Sequence, residues 1–211
     1  MKLSLPLIIS ALIVSAALAA DTSFKESVYL EAKMLDEKFN IDKDIILAYA
    51  KTETDFQPYV IAIKTKTPDF THWVFQQVGY KAKKSKNLPY VSVFPADVKS
   101  AEFLYDFMIM NKKALEIIDY DFGLMQLNTR TIAGYGIDQE GEKELYLDYK
   151  KNMLYGADII RGCYNMLKAK TGLENIIECY NRGVSIRHLN NSPRTYLDKF
   201  AKNYKNIKGL Q

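Results

Sequence analysis

Apolar residues recur every three to four positions along most of the chain, a spacing that is typical of amphipathic helices. Ser23 and Glu26 form a capping-box pattern, which predicts that one helix begins at Ser23. The predicted helices cover about 23–39, 42–57, 97–118, 149–167 and 173–180, and a last one opens with Ser192 as cap and Pro193 at its first position. The pattern therefore predicts a mainly α-helical chain.

The segment from Thr65 to Pro95 lacks this helical periodicity. Within it, Tyr90–Phe94 is rich in β-branched and aromatic residues, which predicts a short strand. The neighbouring run Lys81–Lys86 is basic and is expected to be a solvated loop. We therefore expect at most a small β-hairpin beside the helices.

The first twenty residues carry a different pattern. Lys2 is followed by an uncharged, mostly apolar run, Leu3–Ala20, which ends in a small-x-small sequence before Asp21. This arrangement is typical of a secretory signal peptide over residues 1–19, and a retained membrane anchor is the alternative. We expect a periplasmic or secreted mature chain over residues 20–211, without a membrane span.

Composition excludes several classes of protein. The 211 residues are 48% hydrophobic and 26% charged, as in ordinary globular domains, so a disordered or fibrous chain is excluded. The net charge of +4, from 29 basic and 25 acidic residues, is too small for a dedicated nucleic-acid-binding protein. Because the histidines are only His72 and His188 and the cysteines only two, we expect no metal site and no cofactor.

The two cysteines, Cys163 and Cys179, lie on consecutive predicted helices at similar distances from the turn near Gly172. Antiparallel packing of these helices would bring the two thiols within bonding range, and export would permit their oxidation. We favour a disulfide over two buried free thiols. If stabilisation comes from the reduced entropy of the unfolded chain, a disulfide that closes a loop of this length raises the free energy of unfolding by ~3 kcal/mol.

Glu53 occupies an unusual position in the second predicted helix. It follows Ile46 and Tyr49 at helical spacing and so lies on the apolar stripe rather than on the solvated face. Desolvation favours the neutral form of a carboxyl group, which is the form that a general acid needs near neutral pH. The alternative is a helix-end glutamate that faces water or pairs with a nearby lysine. Asp55 points to another side of the helix and cannot face Glu53 from that element.

Glu53-Thr54 is the first of three short motifs in the chain. It is followed by Gly123–Gln126, which reads Gly-Leu-Met-Gln, and by Cys179–Gly183, which reads Cys-Tyr-Asn-Arg-Gly. The ordered trio resembles the lysozyme-like lytic transglycosylases of bacterial cell walls, whose pattern is Glu with a hydroxyl residue, then Gly-Leu-Met-Gln, then Ala-Tyr-Asn-Ala-Gly. Thr54 departs from the usual Ser, and Cys179 and Arg182 depart from the usual alanines.

The resemblance spans about Ile41–Gly183 and implies a lysozyme-like (α+β) single domain, over residues 20–211, with an insertion at about 57–119. This insertion and the pattern Asp-x-Gly-Leu-Met-Gln, which begins at Asp121, resemble the specialised branch that serves conjugation and secretion machines. The resemblance implies peptidoglycan as the substrate and such a machine as a candidate partner. We expect a monomer.

By this resemblance, Glu53 is the catalytic acid and base. It would protonate the glycosidic oxygen between N-acetylmuramic acid and N-acetylglucosamine, and then deprotonate the C6 hydroxyl to close a 1,6-anhydro ring without water. No second carboxylate is expected to face it. Tyr180 would hydrogen-bond the Glu53 carboxyl, and Met125 would form an apolar wall for a sugar ring. The implied substrate-binding set is Thr54, Met125, Gln126, Tyr180 and Asn181.

Two alternatives stay open at this point. A muramidase would hydrolyse the same bond with water, and a non-catalytic assembly factor of a secretion or conjugation apparatus would only bind the wall. The basic run Lys81–Lys86 has a second interpretation as a wall-binding patch. The last predicted helix carries Leu197 and Phe200 on its apolar face, and Lys199 is expected on a solvated basic face.

Overall fold

The computed structural model describes residues 5–167, 172–183 and 195–209, with side chains from residue 22 onward. The elements in these ranges are α1 (Leu5–Phe39), α2 (Lys43–Thr54), β1 (Ile61–Thr65), α3 (Pro68–Gln77), β2 (Lys81–Lys84), β3 (Tyr90–Phe94), α4 (Val98–Met110), β4 (Ile117–Phe122), β5 (Leu127–Asn128), α5 (Thr129–Gly134), α6 (Gln139–Leu147), α7 (Tyr149–Leu167), α8 (Leu173–Arg182) and α9 (Thr195–Lys208). The mainly α-helical prediction is confirmed.

The five strands form one antiparallel sheet in the order β2-β3-β1-β4-β5. The prediction of at most a small hairpin was wrong on this point. The pattern predicts a helix that extends from residue 97 to Ile118. In the structure, α4 ends at Met110 and strand β4 begins at Ile117. Lys81–Lys84 is not a loop either, because it pairs with β3 as a charged edge strand. Lysines on an edge strand discourage pairing with another chain.

Alternation along the strands divides the sheet into two faces. Ile61 and Ile63 of β1 and Val91 and Val93 of β3 are fully buried on the face that packs against the helices. The intervening residues of both strands are partly exposed on the opposite face. Since the side-chain period of a strand is two, one face belongs to the core and the other is open.

The helices agree with the sequence pattern more closely than the strands do. α7 spans Tyr149–Leu167, as predicted, and the carboxylate of Asp42 caps α2 by accepting a hydrogen bond from the Asp44 amide at 2.8 Å. The predicted helix start at Ser23 was wrong, because α1 continues through it. Backbone N–H groups in the interior of a helix already donate to carbonyls of the preceding turn, so they need no capping side chain. The predicted cap at Ser192 lies outside the described residues.

A disulfide joins Cys163 of α7 to Cys179 of α8, with an S–S distance of 2.08 Å and 6.0 Å between the Cα atoms. It links the two helices beside the motif that contains Tyr180.

In the part of the chain that the structure describes, no helix is long and apolar enough to cross a membrane. The signal peptide over residues 1–19 stays a prediction.

Candidate active site

Glu53 lies in the last turn of α2 and is partly exposed. The helix ends at Thr54, and Asp55 follows in the left-handed conformation with φ at 54°. Asp55 is exposed, and its carboxylate pairs with the ammonium group of Lys51 at 2.9 Å on the helix surface. The helix therefore delivers one carboxyl group, that of Glu53, toward the interior of the site.

Burial raises the pKa of Glu53 to about 7, because the ionised carboxylate loses most of its hydration. Three charged or polar groups modify this effect. The Tyr196 hydroxyl donates a hydrogen bond to Oε1 of Glu53 at 2.5 Å, and this bond and the Lys199 ammonium lower the pKa. Asp121 raises it. At neutral pH the carboxyl is thus close to half-protonated.

Helix α9 brings Tyr196 and Lys199 to this carboxyl group. Its Phe200 ring packs against the buried Tyr49 ring of α2, with 4.7 Å between the ring centroids. Its Lys199 ammonium donates a hydrogen bond to the Thr52 carbonyl, and its Asn203 amide donates to the Thr52 hydroxyl at 3.0 Å. Lys199 is exposed, in line with the predicted solvated face, and its ammonium group also reaches the end of α2.

The Gly-Leu-Met-Gln motif forms the turn between β4 and β5. Gly123 has φ at 77°, and a Cβ atom there would lie 2.2 Å from Nδ2 of Asn152, so only glycine fits. The fully buried Asn152 side chain accepts a hydrogen bond from the Met125 amide at 2.8 Å and donates to the Phe122 carbonyl at 3.2 Å. Helix α7 thus holds the turn through one amide side chain.

The turn is also joined directly to the end of α2. The Thr54 hydroxyl, which is buried, donates to the Leu124 carbonyl at 3.0 Å. The Gln126 side-chain amide donates back to the Val60 and Gly123 carbonyls at 3.0 and 2.9 Å. These bonds hold the turn at a fixed position relative to Glu53.

The remaining predicted substrate-binding residues occupy different environments. Met125 is fully buried and packs against Gly156, so its side chain belongs to the core in this structure. The Tyr180 hydroxyl donates to the Met125 carbonyl at 2.6 Å, and not to Glu53 as predicted. Asn181, at the end of α8, is exposed. The structure brings Thr54, Tyr180 and the turn together around α2, while Asn181 alone faces solvent.

A second carboxyl group, that of Asp121 on the sheet, raises the pKa of Glu53. Asp121 is partly exposed on β4 and accepts a hydrogen bond from the Asn128 amide at 2.8 Å. Burial, with a smaller contribution from the nearby Asp119, raises the pKa of Asp121 to about 6, although the Asn128 hydrogen bond acts in the opposite direction. Helical spacing shows only which carboxylates share a face of α2, whereas Asp121 comes from strand β4.

Sequence reasoning also missed Tyr196 and Asn152. Tyr196 precedes Phe200 by four residues, so its position on the apolar side of α9 was a usable signal. Asn152 gave no such signal, because an asparagine in the first turn of a helix is ordinarily solvated. Among the described residues, no group of three or more His, Cys, Asp or Glu side chains is arranged to hold a metal ion.

Two comparisons bear on the family. A search of curated protein sequences gave no match. The profile of the transglycosylase SLT domain matches residues 31–201, a range that contains Glu53, the Gly123–Gln126 turn and Tyr196. A match over this share of the chain shows that it belongs to the transglycosylase SLT domain family, whose members cleave peptidoglycan outside the cytoplasm.

Proposed function

We propose that the protein is a peptidoglycan lytic transglycosylase in which Glu53 serves first as acid and then as base. The observation that carries the proposal is the Glu53 carboxyl in the last turn of α2, hydrogen-bonded by Tyr196 and with its pKa raised by burial to about 7, in a chain of this family. A catalytic group with a pKa near the working pH is present in both protonation states, which suits it to donate and then accept a proton. We place the reaction in the periplasm or outside the cell, and the apolar segment Leu3–Ala20 supports export.

The proposed reaction uses one carboxyl group twice. Protonated Glu53 gives its proton to the glycosidic oxygen that links N-acetylmuramic acid to N-acetylglucosamine, and the C1–O bond breaks through an oxocarbenium-like transition state. The resulting carboxylate takes the proton of the C6 hydroxyl of the same muramic acid. The C6 oxygen then bonds to C1, and the products are a 1,6-anhydro end and a free N-acetylglucosamine end.

The residues around Glu53 are assigned by what they contact. Tyr196 fixes the orientation of the carboxyl and stabilises its ionised form. Thr54, Met125, Gln126 and Tyr180 are proposed to act on substrate indirectly, because their polar bonds and packing hold the turn beside α2. The exposed Asn181 is the member of the predicted set that we propose to contact the sugar.

Digestion of purified sacculi tests the proposal. Wild-type protein is expected to release muropeptides with anhydro ends, and Glu53→Gln should reduce release by at least about 100-fold, since general acid–base catalysis contributes roughly 10²–10⁴-fold. Glu140→Gln is the matched control, because Glu140 is an exposed carboxylate on α6. Lytic activity retained by Glu53→Gln contradicts the assignment.

Asp121 favours hydrolysis as a second candidate reaction. Retaining glycosidases pair an acid with a second carboxylate that acts as nucleophile, and Asp121 is close enough to Glu53 to raise its pKa. The same digestion separates the two reactions, since hydrolysis leaves reducing muramic acid ends. Reducing ends, together with loss of activity in Asp121→Asn, would identify a muramidase.

A non-catalytic wall-binding role, including one in a secretion or conjugation apparatus, gives a third outcome. In that case wild type and Glu53→Gln would both sediment with sacculi, and neither would release soluble muropeptides.

A further inference from the structure

The open face of the sheet carries a row of residues that crosses all five strands. The register aligns Lys83 with Ser92, Ser92 with Ala62, Ala62 with Asp121, and Asp121 with Asn128. Each member of the row is partly or fully exposed. With about 4.8 Å between neighbouring strands, the row extends ~14 Å from Asp121 to Lys83. Its Asp121 precedes by three residues Leu124, whose carbonyl accepts the hydrogen bond of Thr54 next to Glu53. Lys83 lies on the edge strand β2.

The middle of this row is a shallow trough. Ala62 and Ser92 have small side chains, and the partly exposed rings of Tyr90 and Phe94 stand on β3 two residues to either side of Ser92. Aromatic rings that flank a floor of small residues offer apolar faces to a ring-shaped ligand. We call this strip, formed by Ala62, Tyr90, Ser92 and Phe94, the trough.

Charge changes sign along the trough. Asp119 and Asp121 lie at the end near Glu53, and three lysines lie around the aromatic rings. The Lys64 ammonium lies 6.0 Å from the centroid of the Tyr90 ring, and those of Lys81 and Lys83 lie 5.8 and 5.6 Å from that of Phe94.

The two lysines of β2 at the far end are not engaged by acidic side chains. No carboxylate in the described ranges lies within ion-pair distance of Lys81 or Lys83, whereas Lys84, on the other face of the same strand, pairs with Asp69. Positive charge on this face is therefore available to a ligand.

We propose that the trough binds the glycan strand as it leaves Glu53, and that Lys81 and Lys83 bind a carboxylate of a peptide stem attached to that strand. The inference rests on the proposed function, because it names the part of peptidoglycan that the site recognises. Continuity with Glu53 favours a glycan as the occupant of the trough. The far end has the charge that complements an acidic peptide, and strands β2 and β3, which carry it, belong to the 57–119 insertion.

Two double variants test the proposal with the same change in net charge. Lys81→Gln/Lys83→Gln removes the two lysines of the open face, and Lys84→Gln/Lys86→Gln removes one lysine of the opposite face and one of the following turn. On intact sacculi the first variant is expected to raise KM about five-fold with kcat unchanged, because exposed ion pairs contribute modestly to ground-state binding. The second variant should match wild type.

A second substrate isolates the peptide stem. On glycan strands stripped of their stems by an amidase, wild type and both variants should have equal KM values. On intact sacculi, the difference should shrink as sodium chloride is raised, since exposed charges are screened. An equal loss in the control variant, or a loss that persists on stripped strands, overturns the proposal.

Sedimentation with Glu53→Gln separates this proposal from the proposed function. If wild type releases no muropeptides, the proposed function fails, yet binding of Glu53→Gln to intact and stripped sacculi still decides whether the lysine pair recognises stems. Preference for intact sacculi that disappears with Lys81→Gln/Lys83→Gln supports the proposal. Equal binding to both substrates, or lysine-dependent binding to phosphatidylglycerol vesicles and not to sacculi, overturns it.

Discussion

Two regions meet at the end of α2, and they act on Glu53 in different ways. The Gly123–Gln126 turn is bound to its surroundings through main-chain groups: Asn152 binds the Met125 amide and the Phe122 carbonyl, and Thr54 binds the Leu124 carbonyl. Helix α9 instead reaches the carboxyl itself, through the Tyr196 hydroxyl and the Lys199 charge. One region fixes where the site is, and the other adjusts how readily Glu53 loses its proton.

The side chains of Met125 and Tyr180 make no direct contact with the Glu53 carboxyl among the contacts of the described residues. Met125 is buried, and the Tyr180 hydroxyl is taken by a carbonyl of the turn. Burial is the main cause of the raised pKa of Glu53, and the groups that modify this pKa are Tyr196, Lys199 and Asp121, each from a different part of the chain than α2. Substitutions at the turn should therefore change stability, and substitutions on α9 should change the pH dependence of activity.

The largest effect is expected from Asn152→Leu, which keeps the branched shape of the side chain and removes every polar bond of Asn152. Its side chain bonds the Met125 amide and the carbonyls of Phe122 and Leu145, all within the fully buried interior. An unsatisfied buried group costs about 1–3 kcal/mol, so we expect unfolding free energy to fall by about 4 kcal/mol. Urea titration measures it.

The control for this variant is Asn87→Leu, at an exposed turn position. It should change the free energy of unfolding by less than about 0.5 kcal/mol. If Asn152→Leu also changed the free energy of unfolding by so little, the stability of the turn would not depend on α7. The proposed structural role of the turn, in contrast to that of α9, would then be contradicted.

The next effect concerns the carboxyl between the two regions. The pKa of Glu53 rises from 4.5 to about 7 on folding, so the native state holds this proton more tightly than the unfolded chain does. Stability must then fall as pH rises from 4.5 to 7, and the loss persists above pH 7. Partial exposure of the side chain makes about 3 kcal/mol an upper value for this loss.

Glu53→Gln removes the titrating group, so it should be more stable than wild type at pH 8 by up to about 3 kcal/mol, and equally stable near pH 4. Thermal or urea unfolding across this pH range measures the difference, with Glu140→Gln as a control that follows wild type. A Gln variant that is less stable than wild type at pH 8 would show that the carboxylate is favourably solvated in the native site.

The sequence predicted some of these features because they are local. The helical spacing of Glu53 relative to Ile46 and Tyr49 is a property of one helix, and it correctly indicated a carboxyl on the apolar side. Tyr196 is 143 residues away from Glu53 along the chain, and their bond exists because α9 packs across α2. No periodicity within either helix reveals that packing.

The sheet has more strands than the sequence pattern predicts, for the same reason. β1 and β4 have five and six residues, and each becomes a strand by pairing with a partner distant in sequence. Ile117 and Ile118 fit a helical stripe as well as a strand, so the pattern alone favoured the longer helix. The turn at Gly123 was recognised from its motif, but the reason for its glycine lies on α7, in Asn152.

Tyr196→Phe tests whether helix α9 adjusts the acidity of Glu53. The hydroxyl bond favours the ionised form of Glu53, so its loss should raise the pKa of Glu53 further, by about one pH unit. Because the proposed reaction begins with protonated Glu53, the alkaline limb of the kcat/KM profile should move to higher pH. Tyr204→Phe, on the same helix, should leave the limb in place. An acidic or absent displacement in Tyr196→Phe would contradict the role assigned to α9.

The smallest effect is expected from Thr54→Val, which removes one hydroxyl bond between α2 and the turn while keeping the shape of the side chain. Loss of the 3.0 Å bond to the Leu124 carbonyl should lower the free energy of unfolding by about 1 kcal/mol. Thr54→Ser, which retains the hydroxyl, is the matched control. Although Thr54 adjoins Glu53 in sequence, its hydroxyl bonds only carbonyl groups among the described residues, those of Leu124 and Ala50. The alkaline limb of the pH profile should therefore stay where it is. A displacement as large as that of Tyr196→Phe would show that the turn also sets the acidity of Glu53, and the division between the two regions would fail.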